Sequence, residues 1–556
     1  MWASPRGAPN LRRTDTQRLA GRYFKDDGRT EGPAAWSSAR TRSQAGREKR
    51  SVEVLKPAKS LGKLLFGESG FGQGSWRETL IYGIAVDSRR VKPGDLFAVL
   101  PGTRSHGANY LSEAVARGAV AILAPLGTAL PPGLPGFLLP NVRAVLPRVA
   151  SRLYDDPGRE LRLTGVTGSN GKTTVVAMIA EILNRLGFRT AYWSTNEVSR
   201  GGGRFRPEYT TPESPDLQKF LREARQMGHR DAVIEVSSHA MVLNRIGGLT
   251  FAAGVVTNFS PDHLDFHRNL AEYRAAKRSF VAGLPPKSTV LLNADDSEVL
   301  AFKEAAAGRV WTFGLDAPAD LGAEKVERGD KSLRFVLRLG PRVNRGALRY
   351  LPVELPMLGR HNIPNALAAI GVTLSYGLPA EMVVLALAGF TPPARRLETL
   401  SVGPYQVITD VAMNPGSYQA VLETVAALQK PLVVVNSLRG NRGPQVNSDT
   451  AAVLAHWDRR LHFGPVILTA SQEELASLPL DYRVRPEERL AFLAEAERQS
   501  LGVSYHAELS SALDEGISRL PPGGVLLLLG TFGMDHGARL ASSKLQALAN
   551  TPEPGH

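Results

Sequence analysis

Two periods govern the apolar positions of this chain. Around residue 161 the short period comes first: Leu161, Leu163 and Val166 mark a strand. After a mostly polar stretch, Val175, Met178, Ile179, Ile182, Leu183 and Leu186 recur at helical spacing. Between them lies Thr167-Gly168-Ser169-Asn170-Gly171-Lys172-Thr173-Thr174. Its glycines let the backbone turn its N–H groups inward, the helix start adds a positive dipole end, and Lys172 brings a mobile cation. A hydroxyl at Thr173 or Thr174 is suited to ligate Mg²⁺. Strand, loop and helix in that order predict a phosphate cradle. It is a variant one, because Val166 stands where the strict P-loop pattern has glycine.

From 161 to about 390, apolar strands alternate with helical stretches, which predicts a largely parallel sheet covered on both faces. The run 232–236 is one buried strand, and its Glu235 is an anomaly, since a carboxylate there needs a partner or a metal. Ser237, Ser238 and His239 follow at once. The next strand, 254–258, leads into a polar run that contains His263, and then a helix carries Tyr273 and Lys277. Polar groups at the carboxyl ends of adjacent parallel strands gather beside a phosphate loop, so Glu235 and His263 are candidate Mg²⁺ ligands. A third segment from near Arg396 repeats the pattern. Strands at 405–409, 431–435, 465–469 and 525–529 alternate with helices near 416–428, 448–457 and 509–519, predicting a second doubly wound domain. Its strand ends carry Asp410, Asn436, Arg439, Asn441, Arg442 and Gly530. Ahead of the loop, 54–154 reads as a small domain with a helix at 110–117 and a strand at 119–123. The Pro/Gly-rich stretch 125–140 reads as a connection, and Asp87-Ser88-Arg89 read without context is a polar strand end.

Length changes the picture little: 556 residues suit three to four domains. No run approaches the ~18 apolar residues of a membrane span. The absence of cysteine excludes disulfides, thiolate zinc sites and a cysteine nucleophile, and suits a reducing compartment. The net charge of +14 suggests a nucleic-acid binder until it is located. Residues 1–50 hold 12 Lys/Arg against 5 Asp/Glu, half of the total, so the rest is only mildly basic and no specific nucleic acid is expected. That tail, 1–53, has few large apolar residues and no signal-like apolar core, and is expected to be disordered; its acidic residues argue against a transit peptide. No methionine separates Met1 from Met178, so a shorter natural chain would need another start codon.

With these residues in hand the chain resembles the Mur ligase family, and within it the ligases that add the third residue of the stem peptide. The resemblance spans about 54–425. It rests on Asp87-Ser88-Arg89 with Pro93-Gly94-Asp95-Leu96-Phe97, the phosphate loop, Thr210-Thr211-Pro212, Glu235 through His239 with Arg245, and Thr257-Asn258 through His267. Tyr273 through Lys277, Asn293 through Asp296, and Gly359-Arg360-His361-Asn362 with Asn365 complete it. It implies an α/β, three-domain architecture: a UDP-sugar-binding domain (54–155), a central P-loop ATPase domain with a mainly parallel sheet (156–393), and a Rossmann-like C-terminal domain (394–556). It also implies that a substrate carboxylate attacks the γ-phosphate of ATP and that an amine then attacks the acyl phosphate. By the same resemblance, Gly168, Ser169, Asn170, Gly171, Lys172, Thr173, Thr174, Asn293, Arg396 and Asp410 bind ATP. Thr173, Glu235, His263 and Lys277 serve Mg²⁺, with Lys277 matching a carbamylated lysine. Ser88, Arg89, Thr210, Thr211, Ser237, Arg245 and Arg442 hold a UDP-N-acetylmuramoyl peptide and an amino acid.

A cytoplasmic, monomeric enzyme is implied. Departures concentrate in the C-terminal domain. The family's Asp-Tyr-Ala-His-x-Pro becomes Asp410-Val411-Ala412-Met413-Asn414-Pro415. Gly-Gly-Asp-Arg becomes Arg439-Gly440-Asn441-Arg442, the diaminopimelate motif Asp-Asn-Pro-Arg is replaced around Thr469-Ala470-Ser471-Gln472, and Gly-His-Glu by Gly533-Met534-Asp535. These predict that Arg442 clamps the acceptor's α-carboxylate and that meso-diaminopimelate is not preferred. Two alternatives are a related ligase acting on another carboxylate, of folyl, polyglutamate or cyanophycin type, and a nucleotide-binding homologue without turnover.

Overall fold

A computed structural model describes residues 58–101, 107–201, 203–263, 266–438, 440, 443–472 and 483–549. The expected disordered tail and Arg439, Asn441 and Arg442 lie outside them.

Three large sheets organise the chain. The N-terminal one has five strands, in the spatial order Phe71–Gln73, Gly136–Leu139, Ala121–Pro125, Asp95–Ala98 and Gly83–Ala85. Two expectations need correction here. The stretch 125–140 is more than a connection: Gly136–Leu139 is a buried strand parallel to Ala121–Pro125, too short to show a period of its own. Asp87-Ser88-Arg89 is no strand end either. Ser88–Arg90 forms a 3₁₀ turn, which the Asp87 carboxylate caps by accepting from the Arg89 N–H at 3.0 Å.

The central sheet has eleven strands. Arg162–Thr167 lies in its middle, with Asp231–Glu235 and then Thr190–Trp193 on one side and Phe251–Val256, Thr289–Asn293 and Arg309–Gly314 on the other, all parallel. Beyond this expected core the sheet continues through Leu321–Arg328 into an antiparallel extension, Leu333–Leu339 and Arg349–Leu355. In Leu333–Leu339 every second residue is buried. Leu333, Phe335, Leu337 and Leu339 join the same core as Val175, Met178 and Ile182 of the phosphate-loop helix Lys172–Arg185.

The C-terminal sheet has the order Glu398–Val402, Tyr405–Asp410, Val525–Leu529, Leu432–Ser437, Val466–Thr469 and Val503–His506, parallel except for its first pair. The expected helices appear as Pro415–Ala426, Pro444–Leu461 and Leu509–Ser518, joined by Pro486–Arg498 and the strand Val503–His506, which were not expected.

One packing detail sets the position of the site. Gly165 and Gly254 are register partners on adjacent central strands. A Cβ added to Gly165 would stand 2.6 Å from Phe280 Cζ, and one on Gly254 would stand 2.4 Å from Leu284 Cδ1. The pair forms a flat shelf that lets the helix Leu270–Ala282 lie close to the sheet. Tyr273, Lys277 and Phe280 share one helical face, so seating Phe280 on the shelf turns Tyr273 and Lys277 inward, where all three are buried.

Salt bridges join the domains. Arg90 grips Asp216 with two bonds of 3.0 Å, and Arg143 reaches Glu213 at 3.3 Å. Across the other seam Asp535 takes Arg206 at 2.6 Å and also pairs with the largely buried Arg395. The shelf is expected to be intolerant of volume. Gly165→Ala should lower unfolding free energy by about 1–3 kcal/mol, the usual cost of overpacking; a urea midpoint equal to wild type would show that Phe280 is not seated there.

Candidate active site

The phosphate loop is held from outside at nearly every atom. Gly168 (φ 143°) and Gly171 (φ 84°) adopt conformations that other residues avoid, and neither has room for a side chain. A Cβ would meet Thr257 Oγ1 at 1.8 Å and Asn365 Oδ1 at 2.4 Å respectively. The Ser169 N–H donates to Asn258 O at 2.9 Å and the Asn170 N–H to Asn258 Oδ1 at 2.8 Å. The Asn170 carbonyl accepts from Thr257 Oγ1 at 2.6 Å and Asn258 Nδ2 at 3.1 Å. Ser169 Oγ bonds Ser260 O at 2.9 Å and the Tyr273 hydroxyl at 3.0 Å, which ties the loop to the seated helix. Lys172 Nζ lies over the loop, donating to Gly168 O and Ser169 O at 3.0 and 2.9 Å. Thr173 and Thr174 are buried in the first helical turn.

Glu235, 1 % exposed, answers the anomaly that the sequence raised. Its Oε2 accepts from Thr173 Oγ1 at 2.9 Å and from the Thr195 N–H at 2.8 Å, and its Oε1 from Thr195 Oγ1 at 3.0 Å. Thr195 Oγ1 in turn lies 2.9 Å from Thr210 Oγ1. A line of hydroxyls therefore runs from the phosphate loop to the Thr210 turn. Arg396 arrives from the C-terminal side, its Nη2 donating to Thr173 Oγ1 at 3.3 Å.

The residues expected to hold the sugar peptide divide into two kinds. Thr211 is fully buried, its hydroxyl donating to Glu235 O at 2.7 Å and accepting from the Ser237 N–H at 3.0 Å. Ser237 caps the short helix Ser238–Val242, and Arg245 holds Glu213 at 3.0 Å and Thr211 O at 2.9 Å. These three shape the turn. Arg89 is open, with a side chain 74 % exposed beside Asp87 and the fields of Glu208 and Tyr209, next to Thr210. Ser88 is buried, donating to Glu113 at 2.6 Å.

Lys277 is 1 % exposed, with its Nζ 4.4 Å from the centre of the Tyr273 ring. Burial, and after it the charge of Lys172, holds its ammonium well below the usual lysine range, against the pull of Asp262. His263 packs edge-on to His239, ring centres 4.9 Å apart, with Nε2 3.9 Å from Asp262 Oδ2. Asn293 Nδ2 donates to Thr257 O at 2.8 Å, placing this residue beside the loop. Burial pushes Asp410 up to about 6, opposed by Arg396, the Leu397 N–H and Arg395.

The set suits a nucleotide and a hard cation. Thr173 and Glu235 offer adjacent oxygens, and among the described residues Thr167 Oγ1, Ser260 Oγ and Arg396 Nε are buried without a hydrogen-bond partner. Among those residues no group of three or more His, Cys, Asp or Glu can hold a metal alone, so an ion here would draw most of its ligands from phosphate and water.

Four contributors were missed by sequence reasoning: Thr195, Asp262, Asn414 and Asp535. Thr195 left a signal as a hydroxyl just past the buried strand Thr190–Trp193, and Asn414 left one as an Asn ahead of Pro at a helix start, though not of its role at the loop. At the carboxyl ends of Val466–Thr469 and Val503–His506 lies a cavity of about 570 Å³, lined by Ala470, Gln472, Arg483, Arg485, Arg489 and Tyr505 among others.

Comparisons with known proteins agree with this geometry. Residues 166–373 match the Mur ligase middle domain, 395–532 the Mur ligase glutamate ligase domain, and 80–136 the Mur ligase family catalytic domain. The UDP-N-acetylmuramoyl-L-alanyl-D-glutamate–2,6-diaminopimelate ligase of Streptomyces avermitilis is 32% identical over 84% of this chain and 90% of its own. The ligase of the same name from Bacillus velezensis is 30% identical over 82% and 90%. Among solved structures, MurF from Acinetobacter baumannii superposes with a TM-score of 0.65 at 21% identity, over 88% of this chain and 99% of its own. Folylpolyglutamate synthase of Mycobacterium tuberculosis gives 0.56 at 19% over 73% and 95%, a likeness of fold alone. By sequence over nearly its whole described length, and by the phosphate loop and Glu235 network that its domains enclose, the chain belongs to the Mur ligase family of ATP-dependent amide ligases.

Proposed function

We propose that this protein, acting as a cytoplasmic monomer, uses ATP to activate the terminal carboxylate of a UDP-N-acetylmuramoyl dipeptide and joins an amino acid to it, as a step of peptidoglycan precursor synthesis. The observation that carries the reading is the Glu235 network, which links the phosphate loop through Thr195 to the Thr210 turn. No side-chain nucleophile is needed, since phosphoryl transfer is mainly positioning and charge neutralisation. Loop amides and Lys172 hold phosphates, Arg396 supplies a second cation at Thr173, and Arg89 faces the sugar-nucleotide side. Thr173 and Glu235 would help to hold Mg²⁺, with His263 and a modified Lys277 as further contributors near phosphate and water ligands, and the ion would supply charge neutralisation at the phosphoryl group.

Lys277 fits modification by CO₂. Burial lowers the pKa of this amine well below the usual lysine range and so favours the neutral form, which can bond the carbon of CO₂ with release of one proton, leaving a carbamate anion that offsets Lys172. The acceptor end offers little of what the diaminopimelate in its relatives' names would require. Asp535 is already paired with Arg206 and Arg395, and Ser471 is fully buried, its hydroxyl donating to Gly533 O, which shuts it off from a distal ammonium. The cavity beside Gln472 is walled by three arginines. A site that recognises diaminopimelate must match its distal carboxylate and amine, because unmatched buried polar groups are costly, and the lack of such a match at Asp535 and Ser471 supports an acceptor other than meso-diaminopimelate.

Three outcomes are expected. Lys172→Ala folds normally and loses roughly 10²-fold or more in ATP-dependent phosphate release; near-normal turnover would remove the cradle assignment. Lys277→Ala loses activity and regains part of it with small carboxylates, whereas a fully active unrescued variant would exclude the modification. In a competition of diaminopimelate, lysine, ornithine and neutral amino acids for product, diaminopimelate is not the winner. Its clear preference would overturn the acceptor reading and leave the ligase reading intact.

A further inference from the structure

One side chain of the C-terminal domain has every polar valence engaged at the phosphate loop. Asn414 N-caps the helix Pro415–Ala426, its Oδ1 accepting from the Ser417 N–H at 3.0 Å. The same oxygen accepts from Asn170 Nδ2 at 3.1 Å. Its Nδ2 donates to Asn170 Oδ1 and to Asp262 Oδ2, both at 3.1 Å. An amide has two hydrogens and two acceptor sites, and all four are matched. The Ser417 N–H demands an oxygen and the Asp262 carboxylate a nitrogen, so the orientation of the amide is fixed. The residue is 1 % exposed, and Asp262 is 2 % exposed.

We propose that Asn414 is a positioning residue for phosphoryl transfer: the C-terminal domain completes the site by clamping Asn170 of the phosphate loop and Asp262 with this single amide. Among the described residues, Asn170 is otherwise held only from its backbone, by Thr257 and Asn258. Asp262 faces Lys277 electrostatically and adjoins His263. One contact therefore sets both walls of the phosphate position, and it exists only when the domain is docked. Helix capping alone does not explain the choice of residue. Aspartate and serine cap equally well, yet aspartate has no hydrogen to give Asp262 or Asn170 Oδ1, and serine cannot bond both partners while capping.

The kinetic half of the test rests on the ligase reading; the exchange half does not. In the full chain, Asn414→Asp and Asn414→Ser are compared with wild type for melting temperature, for kcat and KM, and for hydrogen exchange of the amides at 168–172. The expected result is a melting temperature near that of wild type for Asn414→Ser and a lower one for Asn414→Asp, which sets a second buried carboxylate against Asp262, with kcat lower by about tenfold or more in both, KM for the UDP-peptide changed less than about twofold, and faster exchange of those amides. Wild-type kcat together with wild-type exchange in either capping variant would reduce Asn414 to a helix cap and overturn the proposal. If one variant fails to fold, the other decides. If the wild-type protein has no turnover, the ligase reading fails and the exchange comparison alone decides on Asn414.

Discussion

A carboxylate buried at the end of an apolar strand cannot stand without partners, and most of the site follows from how Glu235 finds them. In a low-dielectric interior an unmatched charge costs several kcal/mol, roughly the whole margin by which a domain is stable. The chain supplies hydroxyls and one backbone N–H. Thr173 fixes the first turn of the phosphate-loop helix against the neighbouring strand, and Thr195 draws in the Thr210 turn. The strand order that places Asp231–Glu235 beside Arg162–Thr167 is therefore also the order that places a metal-suited oxygen beside the phosphate cradle.

Around that centre the three domains meet through charge and amide contacts as well as packing. The N-terminal seam is held by Arg90 with Asp216, a half-exposed pair of the kind that contributes little, and by Arg143 with Glu213, a mostly buried pair that Arg245 shares. The C-terminal seam differs. Arg395 is nearly buried, and Asp535 compensates it while also reaching Arg206, so loss of that carboxylate would leave a guanidinium unpaired where desolvation matters. Asp535, two positions after Gly533, is the one carboxylate that bridges these two guanidiniums among the described residues.

The phosphate loop was legible because glycines, cation, hydroxyls and periodic apolar residues fall in one short stretch. Glu235 was legible because it violates the pattern around it. The parallel cores of the central and C-terminal domains followed from alternating periods. What escaped was either short or distant. Gly136–Leu139 is too brief to display a period, and Leu333–Leu339 was passed over although its alternation is clear. Asn414 is marked locally as a helix cap, but nothing in the sequence shows the distant partners to which folding brings it and Asp535. Thr211 shows the converse case: it was expected to hold ligand, and its hydroxyl is engaged in holding its own turn.

The separation of Asn170 from Asn414, 244 residues along the chain, has a consequence in time. A ribosome adding ~5–20 residues per second needs on the order of tens of seconds to travel from one to the other. The cradle's own supports, Gly254, Thr257, Asn258 and Phe280, are made early in that interval, and Asn365 late in it, so the loop, its strand, its helix and the glycine shelf are complete in sequence before the amide that clamps them is made. Synthesis thus separates the completion of the cradle from its clamping by the C-terminal domain.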